Sequence, residues 1–296
     1  MSDQNKDIDE ETGVETTGHE WDGIKELDNP MPRWWLWTFY ATCVFALGYV
    51  IYYPAIPLLE GSTMGISGKT NRSELQIEMA AADASRRDRV AMLAEQDIEE
   101  IAKNQDLVRF AVAGGASLYK VNCSQCHGSG AQGGPGYPNL NDDDWLWGGD
   151  LEAIYTTIAH GVRNDEDDDA RFSQMPAFGA DGILDRPQIN AVTEYVLNMS
   201  GQEHDATLAE EGAVIFAENC TACHQENGKG NRDLGAPNLT DAISLYGNTR
   251  TTIRAQIQQP KHGAMPPWID RLREANVKQL AIYVHSLGGG EEAPAD

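Results

Sequence analysis

Four of the five cysteines in this chain stand in two Cys-x-x-Cys-His motifs: Cys123, Cys126 and His127, then Cys220, Cys223 and His224. Two cysteines three positions apart at a helix start can each form a thioether to one vinyl group of a porphyrin. The residue that follows then aims an imidazole at the iron. Zinc ribbons keep their cysteine pairs much closer together, a thioredoxin-like pair needs a βαβ context, and a structural disulfide has no use for the histidine. The chemistry expected is therefore covalent haem c, twice. Cys123, Cys126, Cys220 and Cys223 are the attachment points, and His127 and His224 the proximal ligands.

The opposite face of each iron decides between ligand binding and electron transfer. Met175 in SQMPAFG and Met265 in GAMPPW occupy equivalent loops, each followed by proline. A thioether opposite histidine closes the iron and raises its potential. Met199 reads as core packing instead. His160, His262 and His285 read as ordinary polar or packing residues, His262 being the one nearest a candidate ligand. The carbonyl of Pro138 or Pro237, or of a nearby glycine, is a candidate acceptor for the Nδ1 proton of a proximal histidine. Arg163, Arg250 and Arg254 are candidate propionate partners, with a plain surface role as the alternative.

The elements that position these residues repeat. Gly115-x-x-x-Tyr119-x-x-Asn122 before the first motif matches Gly212-x-x-x-Phe216-x-x-Asn219 before the second. Pro138-Asn139-Leu140 matches Pro237-Asn238-Leu239, and the closing stretches around Tyr195 and Tyr283 are alike. The duplication predicts two domains of one kind. Each has a leading helix, a cysteine motif, a Gly/Pro loop, a middle helix, a Met-Pro loop and a closing helix. Gly115 and Gly212 are the points where Tyr195 and Tyr283 on the closing helices are expected to cross closely.

Upstream, residues 34–53 carry no charge, with Trp34, Trp35 and Trp37 at one end and Tyr49, Tyr52 and Tyr53 at the other. That is the length and the pair of aromatic collars of a membrane-spanning helix. A long acidic segment precedes it, which a cleaved signal peptide would not have. Cys43, mid-helix, reads as a small packing residue. The Ala/Glu/Arg-rich stretch from Glu74 to about Ala113 lacks Gly and Pro and reads as a helical connector. Most of residues 1–33 read as a disordered tail, with Trp21, Ile24 and Leu27 at the spacing of a short docking helix, a plain linker being the alternative. The expected fold is all-α. Its parts are the acidic tail (1–33), anchor (34–57), connector (58–109), two tandem class I-like cytochrome c domains (110–202 and 203–290) and a short tail (291–296).

The formal net charge is −24, from 46 acidic and 22 basic residues. Nucleic acid is thereby disfavoured as a partner, and a basic protein is favoured. The runs Asp142–Asp144 and Asp165–Asp169 are candidate steering surfaces for it.

Taken together, the segment HEWDGIKELDNPMPRWW, the single anchor, the connector and the doubled motif resemble the di-haem subunit III of the cbb-type, C-family haem–copper cytochrome c oxidases. The resemblance runs from about His19 to the end of the second repeat. It implies His127 and His224 as proximal and Met175 and Met265 as distal ligands, and leaves open whether each methionine serves its own repeat's haem or the other's. It also implies electron entry from a soluble cytochrome c. The electrons then pass to a mono-haem c subunit and a catalytic haem b–copper subunit that reduces oxygen and pumps protons. Haem attachment outside the bacterial cytoplasm implies an inner-membrane protein with its tail inside and both haem domains in the periplasm. No copper ligands or intramembrane proton path are visible, so the chain alone is not expected to reduce oxygen. The competing readings are a tethered carrier, a cytochrome subunit of a periplasmic dehydrogenase, and a haem sensor with an exchangeable sixth position.

Overall fold

The computed structural model describes residues 7–241 and 243–292. It divides into two compact units, Met1–Ser85 and Arg86–Asp296, with the boundary inside one helix.

The first unit opens with an antiparallel hairpin, β1 (Thr16–Trp21) and β2 (Ile24–Leu27). Here the structure corrects the expectation of disorder and a short docking helix. Trp21 and Ile24 are cross-strand partners around Asp22-Gly23, both with positive φ (50° and 85°). An Asp-Gly pair in that conformation makes the two-residue turn that a hairpin needs, and it outweighs a helical spacing of three apolar residues. Helix α1 (Arg33–Tyr52) follows after Pro30 and Pro32. It is long and apolar enough to cross a membrane, and none of its residues is buried inside the protein. Pro54 ends it, and the Ile66 and Ser67 N–H groups fold back onto the exposed Ile51 and Tyr52 carbonyls. A two-rung hairpin, β3 (Pro57–Leu58) and β4 (Gly61–Ser62), occupies the start of the expected helical connector. The connector proper is α2 (Asn71–Glu95).

The second unit is helical: α3 (Ile98–Lys103), α4 (Gln105–Asn122), α5 (Ser124–His127), α6 (Leu151–His160), α7 (Arg186–Met199), α8 (Ala206–Asn219), α9 (Thr221–His224), α10 (Arg250–Gln258), α11 (Ile269–Leu272) and α12 (Glu274–His285). Local sequence sets the starts. Asn104, Asp150, Asp205 and Thr249 cap α4, α6, α8 and α10 with side-chain oxygens. Asp185 and Gln188 make a reciprocal capping box for α7.

These helices form two cores, and each core draws on both repeats. Residues 110–202 and 203–290, expected as two tandem domains, do not close on themselves. Helix α4 of the first repeat packs against α12 of the second, with α3 and α6 completing that core. Helix α7 of the first repeat packs against α8 of the second, with α10. The crossing points are alike. A Cβ on Gly115 would lie 2.2 Å from the Gln279 carbonyl oxygen and 2.5 Å from Tyr283 Cβ. A Cβ on Gly212 would lie 2.1 Å from the Ala191 carbonyl oxygen and 2.9 Å from Tyr195 Cβ. Only glycine permits such an approach. Aromatic pairs seal both crossings, Tyr119 on Tyr283 and Phe216 on Tyr195. The end of α2 joins the first core through fully buried Leu93, and Lys278 Nζ donates to the Gln96 carbonyl at 2.8 Å.

Candidate haem-binding sites

Each cysteine motif starts where a leading helix ends. Asn122 Nδ2 donates to the Leu118 carbonyl, and Asn219 Nδ2 to the Ile215 carbonyl, both at 2.9 Å. The next turn is a short helix in which the His127 N–H reaches the Cys123 carbonyl and the His224 N–H the Cys220 carbonyl, both at 2.9 Å. That turn places two thiols and an imidazole together. None of the four is paired in a disulfide. Burial pushes the Cys123 and Cys220 thiols up to about 11, so the first thiol of each motif lies in an apolar setting.

Both imidazoles meet the proline carbonyls named as candidate acceptors. His127 Nδ1 lies 3.0 Å from the Pro138 carbonyl, and His224 Nδ1 3.1 Å from the Pro237 carbonyl. A carbonyl only accepts, so Nδ1 carries the proton and Nε2 keeps its lone pair for a metal. Burial lowers both imidazole pKa values and favours the neutral, ligating form, with the proline carbonyls pulling the other way. Asn139 and Asn238 hold the loops that present these carbonyls, each side chain accepting from the backbone two residues on.

Each candidate methionine packs in the core that also holds the other repeat's cysteine motif. Met265, from the second repeat, packs against the same core as Cys123 and Leu140. Met175, from the first, packs against the core that holds Cys220 and Leu239. The Met265 loop is laced to the end of α6. Val162 and Met265 exchange both backbone hydrogen bonds, at 3.0 and 2.9 Å, and Asn164 Nδ2 also donates to the Met265 carbonyl.

The other candidates separate cleanly. Met199 packs into the second core. His160 Nδ1 lies 3.0 Å from Asp167, and His285 Nε2 lies 2.9 Å from the Glu291 carbonyl. Burial and then the charge of Arg163 lower the His262 pKa, with the Met175 backbone pulling the other way. Arg250 makes two hydrogen bonds to the carboxylate of Glu194, which is buried. Arg254 is exposed and lines, with Arg186 and Ile189, a groove between α7 and α10. Arg163 is partly buried and donates to two backbone carbonyls.

Arg171 is the residue that the sequence reading passed over. It stacks over Trp147 and donates through one terminal nitrogen to the Ala153 carbonyl, yet its Nε is buried with no partner. A buried N–H left in that state costs free energy. An anionic acceptor arriving with a bound group, such as a haem propionate, fits it. Cysteines outside any disulfide, imidazoles held through Nδ1, methionines in the same cores and an orphaned guanidinium nitrogen all suit haem c.

Fold and sites together define a doubled cytochrome c behind a single apolar helix. The comparisons with known proteins agree. Residues 110–196 and 207–284 match the family model described as cytochrome c oxidase, cbb3-type, subunit III. Residues 13–60 match the N-terminal domain of cytochrome oxidase-cbb3, FixP. The chain is 56% identical over 276 residues to the cbb3-type cytochrome c oxidase subunit CcoP of Cereibacter sphaeroides, covering 93% of this chain and 95% of that one. It is 52% identical over 291 residues to subunit FixP of Sinorhizobium medicae, covering 98% and 100%. Against subunit CcoP of Azospirillum brasilense it is 46% identical over 293 residues, covering 97% and 99%. The chain belongs to the family of cbb3-type cytochrome c oxidase subunit III: it is the membrane-anchored, electron-transferring cytochrome c subunit of such an oxidase.

Proposed function

We propose that this chain holds two haem c groups, takes electrons from a soluble cytochrome c, and passes them through a mono-haem c subunit to the haem b–copper subunit that reduces oxygen and pumps protons. Bound haem c supplies a one-electron iron couple. The chain's residues do the rest. Cys123 and Cys126 anchor one group, Cys220 and Cys223 the other. His127 and His224 present Nε2, held by the carbonyls of Pro138 and Pro237. Met265 closes the site of the first motif and Met175 that of the second. The observation that carries this assignment is that each methionine packs against the same core as the opposite repeat's first cysteine. Thioether and imidazole together leave no vacancy for oxygen, which suits a relay rather than a sensor or a catalyst.

In this reading the acidic N-terminal segment faces the cytoplasm and both haem sites face the periplasm, where c-type haem is attached. Purification from membranes in mild detergent tests the assignment. The expected result is a complex containing a many-spanning haem–copper polypeptide, in which this chain's mass exceeds that of the polypeptide by two haems. A chain that purifies alone, or with the mass of the bare polypeptide, contradicts it.

A further inference from the structure

One guanidinium joins the two loops that carry the distal methionines. Arg163 Nε donates to the Gly263 carbonyl at 2.7 Å, and a terminal nitrogen donates to the Ser173 carbonyl at 3.1 Å. Gly263 stands two residues before Met265, and Ser173 two residues before Met175. The two carbonyls are therefore the same position in the two repeats, and one side chain holds both.

The backbone around Arg163 is built to hold it there. Its φ is 49°, a left-handed conformation that costs a residue with a side chain. Its N–H donates to the Arg171 carbonyl at 2.8 Å, while its neighbour Val162, buried, exchanges hydrogen bonds with Met265. Burial lowers the Arg163 pKa, and the nearby Tyr246 pulls the other way. Other groups near the same spot are His262, which feels the Arg163 charge, and Gly136 and Tyr246, which lie close to Gly263.

We infer that Arg163 is a positioning residue that sets the placement of Met175 and Met265 together, so that both distal ligand bonds depend on one side chain. The inference rests on the crossed methionine ligation proposed above. An arginine suits the task because its planar fork spans two acceptors with fixed geometry, whereas a lysine is a single point donor. It also explains why this arginine lies between the repeats: it is contributed by the first, yet touches the loops of both.

The test uses the full-length, haem-loaded protein with Arg163→Met and Arg163→Lys. Three quantities are read for each haem: its reduction potential, its near-infrared methionine-to-iron charge-transfer band, and the thermal midpoint of the protein. Arg163→Met is expected to weaken the band and lower the potential of both haems. Arg163→Lys keeps the charge and loses the fork, so both bands weaken there as well. It also carries the test if Arg163→Met fails to mature. Bands and potentials like wild type in Arg163→Lys, or a change confined to one haem in either variant, overturn the inference. So does a drop in thermal midpoint with both bands unchanged, since that marks a role in packing alone. Absence of a methionine band in the wild-type protein would instead remove the ligand assignment beneath it.

Discussion

Tyr283, near the end of the last helix, packs its ring on Tyr119 in the helix that leads into the first cysteine motif, with centroids 5.5 Å apart and planes inclined by 53°. The contact joins the end of one repeat to the start of the other. Its counterpart, Tyr195 on Phe216, joins them in the opposite sense at 5.2 Å. Neither core exists without both repeats, so damage to one leading helix is felt in the distant closing helix.

That interdependence makes Gly115 a sensitive position. Gly115→Ala drives a methyl group into the Gln279 carbonyl and the Tyr283 side chain. Overpacking at a tight backbone contact costs on the order of 2 kcal/mol or more. The expected outcome is a lowered thermal midpoint together with an altered spectrum of the haem held by Cys123 and Cys126. Gly114→Ala supplies the comparison, because its Cβ would meet the flexible Gln279 side chain rather than backbone. It should be the milder of the two.

Glu194 gives stability a defined dependence on pH. Its hydrogen bond to Arg250 holds the carboxyl below its ordinary value of 4.5, against the opposing effect of burial. Glu194 also accepts from the Asp205 N–H, at the start of α8. A carboxyl whose folded pKa is depressed contributes stability above its unfolded pKa and loses it as pH falls through the folded one. Glu194→Gln should therefore lower the thermal midpoint at neutral pH and flatten the loss seen between neutral and acidic solution. Equal slopes for the two proteins would remove the linkage.

Much of this arrangement was legible in the sequence, because each legible part is local. The twenty-residue apolar run, the cysteine motifs, the Met-Pro loops and the proline carbonyls all depend on neighbours along the chain. The exchange of closing helices does not. Tyr195 and Tyr283 stand at equivalent positions in the repeats, as do Gly115 and Gly212, so residue type does not say which meets which, and the choice lies in long-range packing. The hairpin at Trp21 was misread because three apolar residues mimicked a helical face, while the Asp22-Gly23 turn carried the stronger signal. Arg163 and Arg171 were hard to judge for another reason. Their roles are set by backbone carbonyls and by burial, which leave no mark on residue type.

The acidic loop after α6 bears on the donor. Asp165, Glu166, Asp168 and Asp169 are exposed, Glu166 pairs with Arg271, and the loop begins at the residues bonded to Met265. Exposed like charges near a redox site raise the encounter rate with a basic partner, and salt screens the effect. Oxidation of a basic soluble cytochrome c by the complex should slow as ionic strength rises. Replacing Asp165, Asp168 and Asp169 together by Asn should slow it at low salt and flatten the dependence. A salt-independent rate in the wild-type complex contradicts the steering role.

The crossed assignment of the methionines is tested most directly in a chain that keeps a single haem. With Cys220→Ala and Cys223→Ala, only the group at Cys123 and Cys126 remains. Its methionine-to-iron band is then recorded after a further Met265→Ala or Met175→Ala change. The account predicts that Met265→Ala abolishes the band and opens the iron to carbon monoxide, while Met175→Ala leaves both unchanged. Loss of the band with Met175→Ala and its survival with Met265→Ala would contradict it.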